Sequence, residues 1–558
     1  MELSALVTAL QNSEIYPEKP EKIDWVQTHI SAIFLTGEHA YKIKKPVNFG
    51  FLDFTTLEKR KFYCQQEVDL NRRLSPEFYL GVVEIRSHQG QVSIGKGPGE
   101  IIEYAVLMKQ FSPDCIMDRW FARGTLTPEI VEKAAEKLAH FHSQAATNPE
   151  IAAFGAIETI RVNVEENFTQ TEKYVGRAFS TEPYREIRES NRRFMESHLP
   201  LFQKRIADGK IRDCHGDLHL QHICLGEEIF IFDCIEFNQR FRYSDVAADI
   251  AFLLMDLDSD GEPMLSATLA FHYLKISQDW PIFLLLNFYK SYRAYVRAKV
   301  TCFRLDDPVM ATADKTSALE GARGYFNLSH YYALQLNRPA LLVTCGLMGT
   351  GKSTIARSLG EALGWESLRS DALRKELAQI SPLEHRFEKF HQGIYSPDFS
   401  RKTYQAFFDR TLALLNSGQS VILDGSFKKQ VDRQEALATV RKANADFLLL
   451  ECQCSEEEIQ RRMARRATEK NELSDGRWEI FSDQKKDYEK MEGFPSDLYL
   501  SLNTELSPEE CLGQIFQHLL RRAGRELSAV RSHLIQGEGG PSRISRNPSS
   551  RGAKMGNF

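Results

Sequence analysis

The sequence has 558 residues, of which 42% are hydrophobic and 26% charged. At roughly 150 residues per domain this predicts about three to four folded units, and the apolar content excludes a disordered scaffold. Lys and Arg number 71 against 76 Asp and Glu, a net charge of −5, so no global basic field marks a partner that is nucleic acid or an anionic membrane.

The start, Met-Glu-Leu-Ser, carries no basic stretch followed by an apolar one, so no signal peptide is expected. The most apolar runs, Ile250–Met255 and Trp280–Phe288, fall far short of the roughly 20 residues of a membrane helix. No membrane partner and a cytoplasmic location are expected. The ten cysteines show no framework of spacings, which predicts free thiols in a reducing compartment.

The first hundred residues read as short strands around one helix. Ser31–Leu35 and Ala40–Lys44 form a hairpin pattern around the turn Thr36-Gly37-Glu38-His39. Residues 55–74 have helical spacing, with Leu57, Phe62, Val68 and Leu70 among the apolar positions. Gln91–Pro98 reads as a Gly-containing loop before an apolar strand, Ile101–Met108. From Pro128 to about Tyr332 the pattern is mainly helical, broken by short strands at Ile223–Leu225 and Ile229–Phe232.

After Asn337-Arg338-Pro339 the pattern changes to alternating strands and helices, with strands at Ala340–Cys345, Glu366–Ser370, Ser420–Leu423, Phe447–Cys452 and Leu498–Leu502. That alternation predicts a parallel sheet covered by helices. The expected division is 1–110, 111–334 and 335–530, followed by a disordered tail at 531–558 that is rich in Gly, Pro, Ser and Asn from Gly537 onward.

Gly346-Leu-Met-Gly349-Thr350-Gly351-Lys352-Ser353 satisfies G-x-x-x-x-G-K-[ST] between a strand and a helix. Glycines let backbone N–H groups turn inward around phosphates, and the positive end of the following helix, opening at Lys352-Ser353-Thr354, points at them. Lys352 would neutralise the β and γ phosphates of ATP, and the Ser353 hydroxyl would help hold Mg²⁺. Asp424 closes the strand Val421-Ile422-Leu423, within reach of that metal. Asp371, in Arg369-Ser370-Asp371-Ala372-Leu373-Arg374, follows another strand; it suits either a substrate hydroxyl or the cap of the next helix. Arg462 and Arg466, four apart in a basic helix, could close over phosphates or merely face solvent beside Glu456–Glu458. These pieces, spanning about 340–525, resemble the small P-loop kinases of the polynucleotide kinase and zeta-toxin type. The resemblance implies that Asp371 orients the acceptor hydroxyl and that Arg462 and Arg466 engage nucleotide phosphates.

A second constellation lies upstream. His215-Gly216-Asp217-Leu218-His219 precedes a short hairpin and Asp233-Cys234-Ile235-Glu236, while Lys42 sits on a strand and Glu67 on the next helix. Two carboxylates and a lysine–glutamate pair are the parts a phosphoryl transfer needs. Over about 20–325 this order resembles the aminoglycoside phosphotransferase-like branch of the protein-kinase-like fold. The resemblance implies Asp217 as base, Asp233 as metal ligand, and Lys42 with Glu67 on the phosphates. The family has Asn where this chain has His222, and imidazole is a poor Mg²⁺ ligand. Zinc on His215, His219 and His222 with Cys214 and Cys224 is disfavoured, because Gly216-Asp217 makes a loop and no C-x-x-C pair accompanies it.

The expected architecture is therefore an α+β protein-kinase-like half followed by a three-layer α/β P-loop domain with a parallel sheet. The expected function is an ATP- and Mg²⁺-dependent phosphotransferase with two nucleotide sites and a small-molecule hydroxyl acceptor. A regulatory nucleotide-switch ATPase with a degenerate kinase-like domain and a nucleic-acid end kinase remain as alternatives, the latter disfavoured by charge.

Overall fold

The computed structural model describes residues 2–308, 310–381, 384, 388, 391–466 and 476–536. It divides into two compact units. One comprises 1–277, 286–333 and 526–558; the other comprises 278–285 and 334–525.

The first unit opens with a six-stranded antiparallel sheet in the order β1-β2-β3-β6-β4-β5. Its strands are β1 (Asp24–Gln27), β2 (Ser31–Leu35), β3 (His39–Lys44), β4 (Tyr79–His88), β5 (Gln91–Ile94) and β6 (Glu100–Lys109). The alternation of side chains along β3 decides what each face does. Tyr41 and Ile43 enter a core with Leu6, Leu10, Tyr16 and Phe34. Ala40 faces the opposite way, toward Cys64 and Val68 of the helix Leu57–Asn71, and Lys42 and Lys44 share that face. The helix starts where the Thr56 hydroxyl accepts the Lys59 N–H at 3.2 Å.

The remainder of this unit is helical, with two-stranded pairs β7 (Ile211–Asp213) with β10 (Tyr243–Asp245), and β8 (Ile223–Leu225) with β9 (Ile229–Ile231). The helix Val246–Asp260 is buried almost throughout, capped by the Asp245 carboxylate at one end and by Gly261 with φ +106° at the other.

The second unit has a five-stranded, wholly parallel sheet ordered β12-β13-β11-β14-β15. These are β11 (Ala340–Cys345), β12 (Glu366–Arg369), β13 (Val421–Asp424), β14 (Asp446–Gln453) and β15 (Tyr499–Asn503). Helices cover the faces, so the central strands are continuous apolar runs with no polar alternation: Leu341–Val343, Val421–Leu423 and Phe447–Leu450 are all buried.

Four readings need correction. Gln91–Ile94, expected as loop, is an edge strand. The turn that builds it is Gln89-Gly90, both with positive φ, which suits a two-residue hairpin. Ser370, expected as strand, begins a helix. The last helix, Pro508–Gln536, runs into the segment expected to be disordered from 531; residues 537–558 lie outside the described residues. Lastly, Cys115 and Cys224 form a disulfide, where free thiols were expected throughout. The pairing of Ile116 with Cys224 as an isolated β-bridge brings the two segments together, a contact invisible in cysteine spacing. The other eight cysteines are free.

Candidate active sites in the two units

In the first unit, Lys42 is the meeting point of three segments. Its ammonium lies 2.8 Å from Glu67 Oε1 and 2.8 Å from Asp233 Oδ1. Lys44, two residues along the same strand face, pairs with Glu67 Oε2 at 2.7 Å and with Glu236. Burial opposes each of these charges, yet the carboxylates of Asp233 and Glu67 hold Lys42 protonated well above the ordinary lysine range. Burial likewise opposes ionisation of Glu67, but Lys42 and Lys44 keep its carboxyl low. Lys44 and Glu236 were not anticipated as partners. The available signal was two lysines at i and i+2 on a strand whose face meets a helix.

The loop carrying Asp217 is held from behind. Asp249 accepts the His215 and Gly216 N–H groups at 2.9 Å each, and His142 Nε2 lies 3.1 Å from it. Gly216 has φ +88°, and a Cβ there would stand 2.9 Å from the Phe241 carbonyl oxygen; glycine is required. Asp217 is buried, with His219 Nε2 3.4 Å and His222 Nδ1 3.5 Å from Oδ2. Despite burial, these imidazoles keep its carboxyl well below the usual range.

Asp233 has φ +63°, a costly conformation for a residue with a side chain. The Asp233 N–H donates to the Tyr79 hydroxyl at 3.2 Å, and the next N–H donates to Asn71 Oδ1 at 2.9 Å, which fixes the backbone there. His222 Nε2 lies 3.5 Å from Asp233 Oδ2. Burial, and then the electrostatic influence of the neighbouring His219, push the His222 imidazole down to about 4. A nitrogen in this donor set does not fit Mg²⁺, which takes oxygen. Near these groups is a cavity of about 180 Å³ lined by Phe78, Phe111, Phe230 and Phe232 with Lys109 and Cys224.

The disfavoured zinc set does not assemble. His215 Nε2 bonds the Phe232 carbonyl at 2.9 Å, Cys214 Sγ donates to the Ser244 carbonyl and Cys224 is in the disulfide.

In the second unit, the predicted groups gather at the carboxyl edge of the parallel sheet, where ligands bind in such folds. Gly346–Gly351 follows β11 and leads into the helix Lys352–Leu363. Gly346, Gly349 and Gly351 have φ of +134°, +77° and +85°. A Cβ on Gly346 would stand 2.5 Å from the Cys452 carbonyl oxygen, and one on Gly349 2.9 Å from Ile459. This cradle accepts only glycine, which fits a phosphate chain. Thr350 Oγ1 donates to the Leu347 carbonyl at 2.8 Å, and Lys352 Nζ donates to the same oxygen at 2.6 Å. Ser353 and Thr354 form the first turn of the helix, and the Thr354 N–H bonds the Gly351 carbonyl at 3.0 Å.

Asp424, buried at the end of β13, lies 3.4 Å from Thr344 Oγ1 and 3.3 Å from Arg369 Nε. Asp424 and Ser353 offer only oxygen, a set that fits Mg²⁺. Asp371 lies in the first turn of the helix Ser370–Leu377, whose cap position is Arg369. Arg374 is a structural anchor, donating to the Ile394 carbonyl at 2.7 Å and to Ser400.

Arg462, in the helix Glu456–Arg466, pairs with Glu458 at 2.7 Å and donates to the Thr504 carbonyl at 2.5 Å. Thr504 Oγ1 in turn donates to the Thr350 carbonyl at 2.7 Å, so Arg462 braces the phosphate loop from outside. The side chain of Arg466 lies outside the described residues.

Two family models match the chain: the phosphotransferase enzyme family over residues 98–286 and the AAA domain over 341–491. The uncharacterized protein Rv2004c of Mycobacterium tuberculosis is 31% identical over 434 residues, covering 78% of this chain and 84% of that protein, and Mb2027c of Mycobacterium bovis gives the same values. Among solved structures, a choline/ethanolamine kinase family protein from Mesorhizobium loti is similar at 13% identity and TM-score 0.36, covering 59% of this chain and 99% of the other. A sugar kinase from Janibacter sp. is similar at 20% identity and TM-score 0.26, covering 33% and 94%. The chain belongs to the family of Rv2004c, and its kinase-like phosphotransferase half and P-loop AAA half make it an ATP-dependent enzyme of the kinase or ATPase class.

Proposed function

We propose that the chain is a phosphotransferase with two ATP sites, one in each unit, acting on the hydroxyl of a small molecule in the cytoplasm, where ATP is supplied. The observation that carries this reading is the pairing of Lys42 with both Glu67 and Asp233 at 2.8 Å. It keeps one cation fixed beside the loop of Asp217. Lys42 would meet the phosphates, while the base would enter the cavity that Phe78, Phe111, Phe230 and Phe232 line. The acceptor oxygen would attack the γ phosphorus as the bond to the β–γ bridging oxygen breaks. Asp217, held ionised, would take the hydroxyl proton.

In the second unit the glycine cradle would hold the phosphates, with Lys352 as counter-charge and Asp371 oriented to the acceptor. Ser353 and Asp424 would hold Mg²⁺, which when bound neutralises charge on the β and γ phosphates. A nucleic-acid acceptor is not favoured by a net charge of −5.

The test incubates the full chain with γ-labelled ATP and a panel of hydroxylated metabolites, aminoglycosides and oligonucleotides. Label should pass to a small-molecule acceptor; Asp217→Asn and Asp371→Asn should each remove the transfer made at its own site, and the double variant should remove all of it. ATP consumption indifferent to every acceptor and to both substitutions would overturn the reading in favour of a nucleotide switch.

A further inference from the structure

His222 stands where an amide is expected, and its imidazole offers a nitrogen lone pair that an amide side chain lacks. We propose that the kinase-like unit binds a first-row transition cation of the Mn²⁺, Co²⁺ or Zn²⁺ type through His222 Nε2 and Asp233 Oδ2, in preference to Mg²⁺. The proposal rests on reading this unit as a phosphotransferase site, and it names the cation that such a site would use.

The tautomer of His222 is set by its neighbour. Its Nδ1 lies 2.9 Å from the Asp217 carbonyl oxygen. A carbonyl only accepts, so Nδ1 carries the hydrogen and the neutral ring presents a bare lone pair at Nε2. A histidine whose second nitrogen donates to a backbone carbonyl has the arrangement that orients metal-bound imidazoles.

The spacing suits a shared cation. His222 Nε2 and Asp233 Oδ2 are 3.5 Å apart. Two donors about 2.1 Å from one metal, at a tetrahedral angle, would be about 3.4 Å apart. Asp233 divides its oxygens cleanly, because Oδ1 is taken by Lys42 at 2.8 Å and Oδ2 is the one facing the imidazole. The remaining coordination positions are left to water and phosphate oxygens.

His219 lies in the same cluster of potential ligands as Asp217 and His222, but its own hydrogen bonds give it another role. Its Nδ1 accepts the Gln221 N–H at 3.3 Å, so the hydrogen of the neutral ring is on Nε2, which faces Asp217 Oδ2 at 3.4 Å. His219 is therefore a positioning residue for Asp217. The donor set left is one nitrogen and one carboxylate oxygen, which suits Mn²⁺, Co²⁺ or Zn²⁺ and disfavours Mg²⁺.

The test uses the full chain without nucleotide, loaded with Mn²⁺ alone and observed by electron spin-echo modulation, which detects directly coordinated ¹⁴N. Mg²⁺ competition is measured alongside. Wild type should show coordinated nitrogen, with Mn²⁺ bound at least tenfold more tightly than Mg²⁺. His222→Asn and His222→Gln, checked for folding by circular dichroism, should lose the nitrogen signal and at least tenfold in Mn²⁺ affinity. The P-loop site offers oxygen donors and would add no such signal. Absence of coordinated nitrogen in wild type, or an unchanged signal in a folded variant, overturns the proposal. Phosphoryl transfer without coordinated nitrogen defeats the metal site alone, whereas coordinated nitrogen without transfer to any acceptor defeats the functional reading alone.

Discussion

Glu67 divides its carboxylate between Lys42, 2.8 Å from Oε1, and Lys44, 2.7 Å from Oε2, and is itself fully buried. One helix side chain thus neutralises two strand ammonium groups that would otherwise sit together out of water. Glu67→Ala would leave that pair with only Asp233 and Glu236. Removing one partner from a buried ion pair costs about 3–5 kcal/mol. Thermal unfolding of the full chain should show the transition of the kinase-like unit lowered, with the P-loop unit unchanged. An unchanged melting profile would count against the network as a stabilising element.

Two nucleotide sites make a prediction about stoichiometry. Calorimetric titration of the full chain with ATP should give two equivalents. Lys352→Ala should remove one and Lys42→Ala the other, since each deletes the cation facing the phosphates, and the double variant should bind none. Two equivalents retained in Lys352→Ala would refute the role assigned to the phosphate loop.

Arg462 and Arg466 should separate by readout. Arg462 is committed to Glu458 and to the Thr504 carbonyl, so Arg462→Ala leaves a partly buried acceptor unpaired and should cost about 1–3 kcal/mol of stability. If Arg466 meets the transferring phosphoryl group, kcat of Arg466→Ala should fall by roughly 10³–10⁵ with little change in ATP affinity. Steady-state kinetics and unfolding, measured on both variants, decide between these assignments.

Asp432 supplies a pH dependence with a definite sign. Burial pushes its carboxyl up to about 6, in spite of the nearby Lys428 charge. A carboxyl raised on folding binds its proton more tightly in the native chain, so the contribution is full below the unfolded value. Stability should then fall as pH rises from about 4 to about 6 and stay level beyond. Asp432→Asn should remove that slope and stabilise the chain at pH 7 by roughly 1–2 kcal/mol, discounted for partial exposure. Melting temperatures of both proteins between pH 4 and 8 provide the check.

What the sequence disclosed depended on how locally each feature is encoded. The phosphate loop was legible because its chemistry lies in eight consecutive residues between a strand and a helix. The parallel sheet was legible because strands buried on both faces must be apolar runs. Lys42 and Glu67 could be paired only through a family resemblance, since nothing near Lys42 names its partner. Lys44 and Glu236 meet across 192 positions, and Cys115 and Cys224 across 109; neither separation leaves a local trace. The strand Gln91–Ile94 was hidden by the glycines around it, because Gly90 makes the turn while Gly95 and Gly97 imitate a loop. Asp249 receives the N–H groups of His215 and Gly216 from 34 and 33 positions away, a contact that depends on tertiary placement.

The membership of the two units has a practical corollary for anyone wishing to study them apart. Residues 278–285 interrupt the first unit yet belong to the second, where Trp280 stacks on Phe516 with ring centroids 4.8 Å apart. Residues 526–536 belong to the first unit, where Leu527 packs with Phe252, Met255 and Tyr332. A single cut near residue 335 therefore strips Leu527 from one core and Trp280 from the other. Each product would carry an exposed apolar scar, and loss of activity in such fragments would report damage rather than dependence of one catalytic centre on the other. The sites are better silenced one at a time by point substitution in the uncut chain.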